Sequence, residues 1–123
     1  MSLEIVAIIP KNEWLTLNGR LTYYPKAERT RLLRRRGKAL AQGKPRFASK
    51  ATCYVEVQGR TSNRFDAHNT MPTLKALVDG FVDAGILTDD SQDYLRGPWP
   101  EAGDPDPSLP LGAHKLIFRF EVG

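Results

Sequence analysis

The clearest periodicity in the chain lies between Leu74 and Val82, where Leu74, Leu77, Val78, Phe81 and Val82 recur at the three- and four-residue spacing of one buried helix face. Pro72 suits the first turn of that helix and Gly85 suits its stop. A second helix is predicted from Lys26 to Gln42, closed by Gly43 with Pro45 just beyond. Its apolar face is narrow, consisting of Leu32, Leu33 and Leu40. Strand patterns flank both helices. Leu3 to Ile9 is β-rich and ends at Pro10, and Phe47 to Val57 alternates Cys53, Val55 and Val57 against Tyr54 and Glu56. Lys115 to Val122 alternates Leu116, Phe118, Phe120 and Val122 against Lys115, Arg119 and Glu121.

Weaker signals fill the gaps. Asn18-Gly19 marks a turn with extended flanks, Gly59 to Asn63 a second turn, and Ile86 to Ser91 a loop. Tyr94 to Arg96 reads as a short strand. Gly97 to Gly112, rich in proline and glycine, reads as an irregular surface excursion, because a strand follows it. Tyr23 and Tyr24 are expected in core or hairpin packing, or against a nucleic-acid backbone, and Trp14 and Trp99 mainly as packing residues. The order strand, helix, strand, helix, strand implies an α/β or α+β layer: one domain over residues 1–123, a small mixed sheet with two main helices packed on it.

Composition narrows the classes. A chain of 123 residues with 41% hydrophobic and 26% charged residues has the make-up of a soluble globular domain. The single Cys53 excludes an intrachain disulfide and a multi-cysteine zinc site, fits a reducing cytoplasm, and reads as a small core residue. No apolar run approaches a membrane span, and the start lacks a signal-peptide layout, so a cytoplasmic location is expected. Gly-rich phosphate loops, a Gly-x-Ser-x-Gly elbow and zinc-finger spacings are missing.

Charge changes the picture more. Residues 1–64 carry 14 Lys and Arg against 4 Asp and Glu, while residues 65–123 carry 4 against 10, so balances of +10 and −6 underlie the net +4. One half suits a polyanion and the other a cation. Arg29, Arg31, Arg34, Arg35, Arg36 and Lys38 crowd the first helix with only Glu28 to offset them. They repel one another unless something anionic lies alongside, which points to phosphate contact. The alternative is a merely solvated face.

The second helix is bracketed by acid, with Asp66 before it and Asp89-Asp90 after it. Hard cations such as Mg²⁺ take oxygen ligands, and one or two carboxylates with water and substrate phosphate suffice. Asp66 and Asp90 fit that role, provided that both flanking segments fold back to one side. Lys75 could then neutralise charge on a phosphorane or orient water, with Asp79 holding its ammonium from one turn on. Spacing alone equally allows a turn at Asp89-Asp90-Ser91 and a surface ion pair at Lys75 and Asp79. His68 is a loop residue or a ligand, Asn69 suits a cap into the helix, and His114 is given no role.

Three elements in order, Asp66-Ala67-His68-Asn69, Lys75 to Asp79, and Asp83-Ala-Gly-Ile-Leu-Thr-Asp89-Asp90, resemble the RusA-type Holliday junction resolvases, above all their phage and prophage branch. The looser Leu17-Asn18-Gly19-Arg20 and the basic helix extend the resemblance to about two thirds of the chain. It implies a homodimeric crossover junction endodeoxyribonuclease, dependent on Mg²⁺ or Mn²⁺, that nicks two opposed strands of a four-way DNA junction in recombination, repair or phage DNA processing. In that reading Asp66, Lys75 and Asp90 are catalytic, and Asp66, Asp89, Asp90 and His68 are metal ligands. DNA contacts fall to Arg20 and the basic helix, with Asn69 and Asp79 in support. A two-fold dimer matches the two equivalent scissile phosphates of a junction. Two departures stand out. His68 replaces an aspartate, and the interval from Asn69 to Lys75 is longer by about three residues. His68 then ligates the metal, with Mn²⁺ favoured, or acts on a proton, or stands by. A catalytically silent binder of branched DNA is the alternative function.

Overall fold

The computed structural model describes residues 2–61 and 66–122. The chain forms β1 (Ser2–Ile9), α1 (Tyr23–Ala41), β2 (Ala51–Gln58), a single 3-10 turn (Ala67–Thr70), α2 (Met71–Ala84), β3 (Leu95–Ala102) and β4 (His114–Val122). The sheet order is β1-β4-β2-β3. β4 runs antiparallel to both β1 and β2, and β3 runs parallel to β2. The unit β1-α1-β2 is therefore a split crossover with β4 inserted between its strands, and β2-α2-β3 is an ordinary parallel crossover. The small mixed sheet with two main helices is the architecture expected from the sequence.

α2 supplies the centre of the core. Leu74, Leu77, Val78 and Phe81 are buried, and the Phe81 ring meets Phe118 and Phe120 of β4 edge-on, with centroids 5.0 and 5.9 Å apart. Buried side chains of this size each contribute about 1.5–3 kcal/mol through removal from water. α1 lies against α2, and its buried positions form a stripe of Leu33, Gly37 and Ala41. A Cβ on Gly37 would strike the Leu77 carbonyl, and one on Gly80 the Arg34 carbonyl. Two hydrogen atoms in place of side chains thus let the helix backbones touch. Gly85 ends α2 in the left-handed region at φ 92°, where its amide bonds back to the last turn.

Several boundaries differ from expectation, each for a visible reason. Phe47 precedes β2 rather than joining it: its amide donates to the Ile86 carbonyl at 2.9 Å, and its ring packs on Phe120. β3 runs through Pro98 and Pro100 into the stretch expected to be irregular, because it is an edge strand with a partner on one side only. The remainder of that stretch is pinned to the end of β2 by Gly103 N–H to Val57 and Asp106 N–H to Gly59. Residues 14–16 are irregular rather than extended strand, although the turn at Leu17-Asn18 is present. Tyr23 and Tyr24 stand out in solvent at 76% and 81% exposure, not in the core, and Trp99 is half exposed. Cys53 is buried, and burial pushes its thiol pKa up. The turn expected over Gly59 to Asn63 lies partly outside the described residues. Among the described residues no helix is long and apolar enough to cross a membrane.

Candidate active site and basic helix

α2 is entered through Asp66, whose carboxylate accepts the His68 amide at 2.9 Å and so starts the 3-10 turn that leads directly into Met71. Asp66, and not Asn69, caps this turn, and α2 itself follows Thr70 without a side-chain cap. Thr73, one turn into α2, is fully buried, and its hydroxyl accepts the Leu15 amide at 2.9 Å while donating to the Leu15 carbonyl at 2.8 Å. Together with Leu17 N–H to Asn69 O at 2.8 Å, this fastens the loop after β1 to the start of α2.

The segment after α2 turns back. Asp90 reaches Lys75, in the first half of the helix, and forms a close ion pair with its ammonium. Asp79, one turn further on, contacts the same ammonium at 3.4 Å. Asp90 and Met71, the first residue of α2, line one cavity of about 420 Å³ along with Lys50, Arg96 and Trp99. Asp90 therefore returns to the first half of α2, whereas Asp66, which precedes that helix, lines another cavity.

Electrostatics follow from this packing. The hydrogen bond to Asp90, reinforced by both carboxylates' charge, holds the Lys75 pKa above its ordinary value despite partial burial. The same hydrogen bond holds Asp90 below the ordinary carboxylate value, with Asp89 and Asp79 adding smaller contributions. Asp89 accepts the Asp90 amide at 2.8 Å, which fixes the turn.

The oxygen donors suit a hard cation, yet the expected ligands are not gathered round one point. Asp66 opens on a different cavity of about 370 Å³, lined by Trp14, Thr16, Asn18, Asn69, Thr70 and His114. His68 is exposed, and among the described residues its ring makes no hydrogen bond or ion pair. No three His, Cys, Asp or Glu side chains among those residues are placed to hold a metal ion. Lys75 is the cation that Asp90 has.

His114 is the residue that sequence reasoning missed. Its ring stacks on Trp14 with centroids 3.8 Å apart and planes 6° from parallel, beside Asp66, and burial lowers its pKa. The two rings are 100 positions apart in sequence, so no local pattern links them.

The basic helix is less bare than its composition suggests. Arg36 makes a two-pronged contact with the buried Glu13 at 3.0 and 2.7 Å, and Arg34 a similar one with Asp83 of α2 at 2.6 and 2.9 Å. Arg31 pairs with Glu28, and Arg29 donates to the Trp14 carbonyl at 2.8 Å. The expected repulsion is thus partly relieved from within, by Glu28 on the same helix and by carboxylates on neighbouring elements. Arg35 and Lys38 form no ion pair among the described residues, and Arg20 is likewise exposed.

No protein-family model matches the chain, and no curated protein matches it either.

Proposed function

We propose that this chain is a metal-dependent endodeoxyribonuclease of the RusA kind, a homodimer that resolves four-way DNA junctions by paired symmetric nicks. The observation that carries the reading is the return of Asp90 onto Lys75, at the end of α2 that Asp66 leads into. An acid and a lysine are then paired on α2 and a second acid leads into the same helix, residue types that serve phosphodiester hydrolysis. A bound Mg²⁺ or Mn²⁺ would supply Lewis-acid polarisation of a phosphoryl oxygen, and its candidate ligands remain Asp66, Asp89, Asp90 and His68, which would have to draw together to hold it.

The chain's own residues have separate tasks. Lys75 keeps Asp90 ionised, and its ammonium faces negative charge whether that charge is a carboxylate or a phosphate. Asp79 keeps Lys75 aligned along the helix. Among the cations expected to meet DNA, Arg35, Lys38 and Arg20 are in no ion pair with a described residue, while Arg29, Arg31, Arg34 and Arg36 also steady the fold.

One observation favours the second reading, a catalytically silent binder of branched DNA. Asp90 is already neutralised by Lys75, so an entering cation must displace the ammonium. A labelled synthetic four-way junction, incubated with the protein and Mg²⁺ or Mn²⁺, separates the two. Paired nicks at symmetric positions are expected, and specific binding without nicks under either metal would establish the silent binder.

A further inference from the structure

The cavity beside Asp66 has walls that the hydrolytic reading leaves unused. It holds about 370 Å³, at the lower end of small-molecule sites, and combines an aromatic stack with hydrogen-bonding groups of both kinds. Trp14 lies on His114, and around them stand the carboxamides of Asn18 and Asn69 and the hydroxyls of Thr16 and Thr70. Neither carboxamide side chain is hydrogen-bonded to another described residue, although the backbone around both is fixed by Gly19 N–H to Thr16 O and Asn69 N–H to Asp66 O. A smaller cavity of about 180 Å³ adjoins it, sharing Trp14 and Thr16 and adding Lys26 and Arg29 at the start of α1. Arg29 is held in place there by the Trp14 carbonyl.

Carboxamides pair with base edges in two-pronged fashion, aromatic rings stack on bases, and lysine and arginine meet phosphates. The two cavities together have the parts for one nucleotide, with the base at Asn18 and Asn69 and a phosphate at Lys26 and Arg29. We infer that the Asp66 cavity receives an unstacked nucleobase next to the cleaved phosphate and sets the base preference of the enzyme. The inference rests on the proposed action on branched DNA. Four-way junctions suit such a pocket, because bases at the exchange point unstack at lower cost than those inside a continuous duplex.

The test is competition binding without metal, so that hydrolysis plays no part. Sets of four junctions, identical except for the base at one position beside the exchange point, are compared with that position moved stepwise along the arm. At one position the protein is expected to prefer one base by roughly 5-fold or more, the discrimination of a paired carboxamide. Asn18→Ala and Asn69→Ala should each flatten that preference, whereas Lys26→Ala should weaken binding to all four alike. Asn18 is exposed, so its variant is expected to melt like the parent, which thermal unfolding checks. Equal binding of all four bases at every position, or a preference that survives both asparagine variants, overturns this inference alone. Failure to bind any junction overturns it together with the proposed function.

Discussion

The two helices lie against each other, yet they treat charge in opposite ways. α1 buries a single narrow stripe and turns the rest of its surface, crowded with arginine, outward. α2 is enclosed on nearly all sides, and its charged positions are Lys75, Asp79 and Asp83. Each of those is in an ion pair: Lys75 with Asp79 and Asp90, and Asp83 with Arg34. On a helix with few polar positions every one has a partner, whereas on the crowded helix partners reach only some of the cations. The number of charges on a helix is thus a poor guide to their role. Packing decides which charges hold the fold and which remain for a ligand.

The contrast is broken most severely at the aromatic contact that seats α2 on the sheet. Phe81→Ala should cost about 3–5 kcal/mol in urea unfolding, since it empties a site flanked by Phe118 and Phe120. A loss under about 1 kcal/mol would mean that α2 is not the centre of the core. Next comes the helix contact. Gly80→Ala forces a methyl group against the Arg34 carbonyl and should destabilise by about 1–3 kcal/mol, though alanine is ordinarily the better helix former by about 1 kcal/mol. A stabilised variant would show that the helices are further apart than described.

Within α1 the division between paired and unpaired cations predicts unequal variants. Arg36→Ala strands the buried carboxylate of Glu13 and should cost roughly 1–3 kcal/mol of stability. Arg35→Ala should leave unfolding within about 0.5 kcal/mol of the parent while weakening DNA binding and making its salt dependence shallower, by about one unit of slope. If the two variants exchange these effects, the division is wrong.

The smallest effect is the pH dependence at the end of α2. Asp90 has a lowered pKa, so its contribution to stability is present above 3.8 and lost as pH falls through the depressed folded value. Lys75 has a raised pKa, so its contribution is present below 10.5 and lost as pH rises through the elevated folded value. The difference in stability between the parent and Lys75→Met should therefore be flat between those limits and shrink beyond both. A difference that changes steadily across neutral pH would point to another group.

The architecture was legible because its elements announce themselves locally: the 3.6-residue repeat of Leu74 to Val82, the alternation of Leu116 to Val122, and Gly85 at the stop. Edges were harder. β3 passes through two prolines, which local rules assign to a loop, and only its place at the rim of the sheet explains the strand. The pairing of Lys75 with Asp79 follows from helical spacing, whereas that of Lys75 with Asp90 needs the returning loop. Glu13 and Asp83, which neutralise α1, belong to other elements, and Trp14 meets His114 only once β4 lies beside β1. Contacts between distant segments have no local sequence pattern, and those contacts are what separate a structural arginine from a free one.

In the proposed function, DNA binding belongs to α1 and cutting to the acid-flanked helix α2. Asp90→Asn, assayed on a labelled four-way junction for nicking with Mg²⁺ or Mn²⁺ and for binding, addresses it most directly. Nicking should fall by about 10²- to 10³-fold or more, the loss seen when a charge-stabilising group is removed, while binding is unchanged or tighter because a negative charge near phosphate is gone. Nicking at the parent rate, or binding lost together with nicking, would contradict it.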